Sequence, residues 1–214
     1  MEARASQAQA SGDSVEVAEA ASVEIPELVG VLKRGMRDNP VHVAALGDDP
    51  ERREQRLERL FTALFAVARD QRPLVARHDG RVVGGTGDWA PGGCRMDARQ
   101  KLAMLPAMAW LGPRSTVATI RWTRAWEKRN PDRPHSHLGP IAVERHLQGQ
   151  GIGSRILRAY CERLDRLGEP AYLETDKPQN VRLYKRFGFQ VVDEAEVIGV
   201  PNWFMWRERR QGAT

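Results

Sequence analysis

The chain has 214 residues, of which 41% are hydrophobic, and its formal net charge is +5 at pH 7. This length favours a single domain with one hydrophobic core. The arginines are scattered without a basic block, which argues against a nucleic-acid partner and favours solubility and attraction of an anionic ligand. The longest apolar run, 102–111, is too short to cross a bilayer, and the chain opens without an apolar signal core. We therefore expect a soluble, cytoplasmic protein without a membrane partner.

The two cysteines, Cys94 and Cys161, have no partners at a spacing typical of metal or redox sites. Cys161 falls on the apolar side of a predicted helix. We therefore expect a reducing compartment and no bound metal.

In the first half of the chain, segments with a clear periodicity of apolar residues alternate with segments that have little or none. Residues 1–13 are rich in Ala, Ser and Gln without periodicity, which predicts a disordered leader before a domain over 14–210. Alternation over 14–19 predicts an edge strand. Apolar residues at helical spacing predict a helix over 25–36, ended by Asp-Asn-Pro, and after a loop a second helix that begins near Pro50.

The period of the apolar residues then changes from 3.6, typical of a helix, to 2, typical of a strand, and this change predicts a hairpin. Its arms are predicted over 74–78 and 81–86, joined by an Asp-Gly turn, and the pair Gly84 and Gly85 predicts a bend in the second arm. From 89 to 130 the pattern is weaker, with one helix predicted over 115–129. Irregular segments on a rigid scaffold commonly bind substrates, so we expect substrate-specific elements here.

The carboxy-terminal part predicts short, alternating strands and helices of an α/β domain. The predicted elements are a strand over 135–143, a loop over 144–150, a helix over 151–167, a strand over 171–175, a helix over 180–187, and strands over 190–197 and 203–207.

A glycine-rich loop follows the strand that ends at Ile141, Ala142 and Val143. Its glycines let successive main-chain N–H groups converge on an anion, and the following helix adds its positive N-terminal end. Phosphate or pyrophosphate is the implied ligand. A Walker A loop is excluded because no Gly-Lys-Ser/Thr ending is present, and no acidic residue closes a second strand as in a dinucleotide-binding unit. The loop residues are Gln148, Gly149, Gln150, Gly151, Ile152, Gly153 and Ser154.

This Gln-x-x-Gly-x-Gly loop resembles the acetyl-CoA pyrophosphate loop of the GCN5-related N-acetyltransferase (GNAT) superfamily. A second motif, from Asn180 through Tyr184 to Gly188 and Phe189, resembles the last motif of that family. Within the superfamily, the carboxy-terminal third looks most like puromycin N-acetyltransferase and its relatives. The resemblance covers about 135–207 well and the amino-terminal half only in its order of elements.

The resemblance implies a single domain with a central, mostly antiparallel sheet, splayed at the acetyl-CoA site and flanked by helices. It implies direct transfer of acetyl from acetyl-CoA to a primary amine of a small molecule in a ternary complex. Main-chain groups of 141–143 are expected to face the thioester and pantetheine, with the Val143 N–H polarising the carbonyl. By the same match, Tyr184 is the general acid and Asn180 holds pantetheine or a linked water.

Several alternatives remain open at this point. The general base is Glu174, His137 or Asp176, or a water chain carries the proton. Each of the other assignments has an alternative. Tyr184 is then only a packing residue, and Asn180 is only a helix cap. Gln148 is then a loop residue that contributes only its main chain. Other functions are acetylation of protein lysines or N-termini, or CoA binding by a non-catalytic regulatory module.

The acceptor is expected to be selected by 89–130 and by the loop over 197–203, because the glycine-rich core is committed to the cofactor. Large apolar side chains in these segments are able to line a pocket for a ring-bearing or aliphatic amine. A homodimer is compatible with the sequence.

Overall fold

The computed structural model describes residues 15–210, so the predicted leader over 1–13 lies outside the described part. Seven strands form one sheet in the order β1-β2-β3-β4-β5-β7-β6. All neighbours are antiparallel except β4 and β5, which are parallel. The strands are β1 (Glu16–Glu19), β2 (Leu74–His78), β3 (Arg81–Trp89), β4 (Ser136–Val143), β5 (Ala171–Thr175), β6 (Gln190–Val197) and β7 (Val200–Arg207). The expected mixed, mostly antiparallel sheet of a single α/β domain is confirmed.

Helices cover both faces of this sheet. On β5, Tyr172 joins the core formed with α1, α2, α3 and α5, whereas Leu173 joins the core formed with α6 and α7. This alternation follows from the two-residue period of a strand. The helices are α1 (Ile25–Met36), α2 (Pro40–Leu46), α3 (Pro50–Val67), α4 (Ala98–Trp110), α5 (Pro113–Glu127), α6 (Ile152–Leu167) and α7 (Pro178–Arg186). No helix in the described range 15–210 is long and apolar enough to span a bilayer.

Two helices were not predicted. Helix α4 lies within 89–130, where only 115–129 was expected to be helical. The short helix α2 was expected to be a loop. Helix α2 begins at Pro40, where the proline was interpreted as the end of α1. Proline is favoured at the first position of a helix, because its fixed φ suits the helix and its missing N–H is not needed there. The next N–H, that of Val41, donates to the Asp176 carboxylate at 2.8 Å. This anchor comes from a residue 135 positions away, so local pattern could not reveal it.

The contact between β4 and β5 is confined to their first residues. Only Ser136 with Ala171 and His137 with Tyr172 are paired. Beyond them β4 continues along β3 to Val143, while β5 continues along β7. The facing edges of 138–143 and 173–175 therefore separate and leave a wedge-shaped opening, which is the expected splay.

A bulge in β4 accompanies this separation. The pairs Thr86 with Ile141 and Asp88 with Leu138 leave one extra residue on β4, at Gly139 and Pro140. Pro140 has no N–H for a regular ladder, so a bulge is a suitable place for it. A Cβ atom built on Gly139 would lie 1.9 Å from a ring carbon of Trp89. The Trp89 ring thus lies directly on the Gly139 main chain.

We predict that Gly139→Ala lowers the free energy of unfolding by about 1–3 kcal/mol, because the new methyl group must displace the buried Trp89 ring. Chemical denaturation measures this change. Gly153→Ala serves as the control, since a Cβ there has no neighbour closer than 3.8 Å. Equal stability of Gly139→Ala and the parent chain would contradict the close packing.

Candidate active site

The glycine-rich loop lies at the end of β4, beside the wedge. A short 3-10 turn, Arg145–Leu147, precedes it, and α6 begins at Ile152. Gly149 and Gly151 have φ values of 81° and 84°, and Gly151 is the N-cap of α6. Glycine is suited to this left-handed backbone, and the turn directs main-chain groups toward solvent at the start of the helix. The Gln148 side chain donates to the Val143 carbonyl at 3.0 Å, so it does more than contribute its main chain.

Gly153 differs from the other glycines of the loop. It lies inside α6 without a positive φ, and a Cβ atom built on it meets only Val143 Cγ2 at 3.8 Å, an ordinary contact. The packing of the described chain therefore does not require glycine at this position. Open space against the main chain at a helix N-terminus fits a pyrophosphate group. Ile152 is buried in the core, so only its main chain faces that space, whereas Ser154 is half-buried.

Helix α1 covers the last residues of β4. A Cβ on Gly35 would lie 2.6 Å from Ala142 Cβ and 3.0 Å from the Val143 carbonyl oxygen, so the two main chains are in close contact. Ala142 and Val143 are buried, and Ile141 is half-buried. Gly35 was not predicted to lie at the site, although a glycine within an amphipathic helix is a signal of close packing.

Tyr184 lies on α7 and is buried, with its ring 6.0 Å from that of Phe189. Burial raises the pKa of Tyr184 and the nearby Asp176 carboxylate raises it further, so the phenol keeps its proton. Asn180 lies in the first turn of the same helix, whose N-cap is Lys177. The alternative of Asn180 as a helix cap is therefore wrong.

The three candidate bases are all engaged with other groups. His137 Nε2 and Glu174 Oε2 are 2.9 Å apart, and the Glu174 side chain is only 3% exposed. They are located where β4 and β5 separate. Asp176 accepts the Val41 N–H described above. The structure thus joins His137 and Glu174 into one pair and gives Asp176 an anchoring contact.

Cys94 lies close to two histidines, an arrangement that the spacing of these residues did not predict. Its Sγ is 3.8 Å from His135 Nε2. Burial raises the pKa of the Cys94 thiol, but the neighbouring His135, His137 and Asn130 side chains outweigh burial and lower the pKa to about 5. Burial alone would lower the pKa of His137, but the Glu174 charge and contacts with Cys94 and Glu174 raise it to about 10.

Comparison with known proteins identifies the family. Residues 39–189 match the family model described as the Acetyltransferase (GNAT) family. The chain belongs to the GNAT acetyltransferase family. It is therefore an N-acetyltransferase, an enzyme of the class that uses acetyl-CoA as its acetyl donor.

Solved structures share the fold of this GNAT enzyme. A Corynebacterium glutamicum protein described as histone acetyltransferase HPA2 and related acetyltransferase matches with a TM-score of 0.68 and 21% identity over 94% of this chain and 99% of its own. The Drosophila melanogaster polyamine N-acetyltransferase, which forms N-acetylagmatine, matches with a TM-score of 0.60 and 16% identity over 90% and 98%. A Brucella melitensis GNAT acetyltransferase in complex with acetyl-CoA matches with a TM-score of 0.52 and 18% identity over 94% and 91%. At these identities the likeness concerns the fold.

We predict that Gly153→Asp abolishes CoA binding, and that Gly153→Ala weakens it about tenfold or more, as expected for a methyl group in a filled site. Isothermal titration calorimetry measures the affinity. Alanine is the better helix former, so the melting temperature of Gly153→Ala should not fall. Gly30→Ala, the same change within α1, is the matched control with unchanged CoA affinity. Parent-like CoA affinity in Gly153→Asp would refute the assignment of the loop.

Proposed function

We propose that this GNAT enzyme transfers acetyl directly from acetyl-CoA to a primary amine of a small molecule in a ternary complex. The observation that carries the proposal is the wedge between β4 and β5, with the glycine-rich loop at the end of β4 and the buried Tyr184 phenol on α7. The pyrophosphate would bind the N–H groups of residues 149–154. The thioester would then enter the wedge.

The chemistry divides among a few groups. Main-chain groups of 141–143 would hold pantetheine, and the Val143 N–H would polarise the thioester carbonyl as negative charge develops on its oxygen. Tyr184 would donate its proton to the departing CoA thiolate, and its raised pKa keeps that proton available at neutral pH. Asn180, one turn before Tyr184, would bind pantetheine or a linked water.

We propose that water, and not a single side chain, takes the proton of the attacking amine. Asp176 holds the Val41 N–H, and Glu174 is paired with His137. These contacts support positioning roles for all three residues. A proton released at the amine can still reach solvent through the open end of the wedge.

Tyr184→Phe is expected to lower kcat by roughly 10- to 10³-fold, with a smaller effect on CoA affinity, because one general acid is lost while the ring remains. Steady-state kinetics with a reactive amine, together with CoA titration, separates the two effects. Phe187→Leu, a hydrophobic change on the same segment, is the control. Full kcat in Tyr184→Phe would assign Tyr184 to packing alone.

A surface cavity supports the expected location of acceptor selection. It has a volume of about 800 Å³ and lies between α5 and the β6–β7 turn. All of its lining residues except Glu196 belong to the two segments expected to select the substrate. Its wall is mainly apolar, with Val117, Ala118 and Val197, and its charged residues are Arg114, Arg121 and Glu196.

The composition of this cavity favours one class of acceptor. The arginines outnumber the single carboxylate, so a polycationic amine or a basic peptide would be repelled. We therefore propose an amine with an apolar body as the acceptor. This differs from the polyamine and agmatine acceptors of some structural neighbours. Acetylation of protein lysines or N-termini is the second candidate, and the mainly apolar cavity favours the small molecule.

Ala118→Trp is expected to raise KM for the acceptor about tenfold or more without changing CoA affinity, because the larger side chain fills the cavity. Arg124→Trp is the matched control, since Arg124 is exposed on the same helix and does not line the cavity. An unchanged KM in Ala118→Trp would place acceptor selection elsewhere.

The acceptor class itself is tested by CoA thiol release with a panel of apolar amines, aminonucleosides, polyamines and peptides. Apolar amines or aminonucleosides should give the highest kcat/KM. Preference for peptides would establish the protein acetyltransferase, and CoA binding without turnover on any amine would favour the regulatory module.

A further inference from the structure

Three potential metal ligands converge beside the point where β4 and β5 separate. Cys94 lies in the connection between β3 and α4, His135 lies immediately before β4, and His137 is the second residue of β4. One ligand atom from each residue lies within 4.8 Å of the other two. His135 is buried, and Cys94 and His137 are half-buried. The cluster is thus part of the folded interior at the base of the sheet.

The hydrogen bonds of the two histidines fix where their lone pairs point. His135 Nδ1 is 2.7 Å from the Arg133 carbonyl oxygen, so Nδ1–H donates and the Nε2 lone pair faces Cys94 Sγ. In the same way, His137 Nε2–H donates to Glu174 Oε2 at 2.9 Å. Its other nitrogen, Nδ1, is buried and has no hydrogen-bond partner among the described residues.

The cluster therefore presents acceptors to one another. The Cys94 sulfur and one nitrogen of each imidazole face one small space, within 4.8 Å of one another. Asn130 adds a fourth polar group: its Nδ2 is 3.4 Å from Cys94 Sγ, and its Oδ1 is also buried without a partner among residues 15–210. Buried acceptors that face one another are unfavourable unless a proton or a cation lies between them.

We propose that Cys94 Sγ, His135 Nε2 and His137 Nδ1 bind one Zn²⁺ ion, with the fourth position taken by water or by the Asn130 amide oxygen. One thiolate and two imidazoles form a donor set that suits tetrahedral zinc. The hydrogen-bond partners of the two histidines also suit a zinc site. Glu174 on His137 and the Arg133 carbonyl on His135 are the outer partners that commonly orient zinc-bound histidines and increase their basicity.

The proposed ion would join two parts of the chain that meet at the active site. It would fasten the connection between β3 and α4, which is part of the acceptor segment 89–130, to the residues at the beginning of β4 and just before it. Arg95 supports the same connection, since its guanidinium donates to the Asn130 carbonyl and to Asp132. Cys94 was not expected to bind metal from its spacing, because the other two ligands lie about 40 positions further along the chain.

Cobalt substitution tests the proposal on the full-length protein. The chelator-treated protein is titrated with Co²⁺, and a 1:1 complex with tetrahedral visible bands and a thiolate-to-cobalt charge-transfer band is expected. Zn²⁺ should displace the Co²⁺ stoichiometrically. The charge-transfer band should disappear in Cys94→Ser and remain in Cys161→Ser, the matched control at the other cysteine.

Two further variants separate the ligands from their partners. Substitution of an outer partner typically lowers metal affinity by roughly 10- to 100-fold. Glu174→Gln should therefore lower the Co²⁺ affinity by about that factor and keep the charge-transfer band. His135→Gln, which removes a ligand, should lower the Co²⁺ affinity by more. Melting temperatures of the metal-free variants establish that each is folded. Sub-stoichiometric binding by the parent, or a charge-transfer band that persists in folded Cys94→Ser, would overturn the proposal. Neither readout depends on acetyl transfer, so failure here leaves the proposed function untouched.

Discussion

The central constraint of this fold is the short contact between β4 and β5, which ends at His137 and Tyr172. Beyond it, two strands of one sheet separate while each stays bound to its outer neighbour. Backbone groups on their facing edges then lack partners within the sheet, an arrangement that is stable only with water or a ligand between them. The separated strands must therefore be kept in place by packing against groups outside the opening. Trp89 on Gly139 and α1 on Ala142 hold the β4 side.

The glycine-rich loop is positioned by ion pairs between residues that are far apart in the sequence. Arg34 of α1 pairs with Glu144, the residue after β4. Asp38, just after α1, pairs with Arg145 at the start of the loop and with Arg53 of α3. Arg37, with Arg53 and Arg145, holds the pKa of the Asp38 carboxyl below its usual range. These contacts fix the main chain that leads into the loop, and a loop whose flanks are fixed loses less conformational freedom when it binds a ligand.

Local signals were sufficient for most elements and for the glycine-rich loop, because strand and helix periods and glycine conformations depend on neighbouring residues. Helix α2 was missed because Asp176 anchors it from a distant strand end. The proximity of Trp89 to Gly139 and the pairing of His137 with Glu174 were inaccessible for the same reason. The candidate bases His137 and Glu174 lie beside the opening, but their pairing with each other required the tertiary structure.

The spacing of His135 and His137 is a local signal that the two imidazoles lie together. A two-residue spacing on a strand places both imidazoles on one face, and Tyr172 packs against both rings. Glu174, two residues beyond Tyr172, extends from the same face of β5. Only the proximity of Cys94 to these residues required knowledge of the tertiary structure. A consequence follows for the chemistry: the one lone pair on His137 Nδ1 cannot bind a metal ion and also accept a proton from the amine. A zinc-bound His137 and an amine proton carried by water are therefore mutually consistent, whereas His137 as the base excludes the metal.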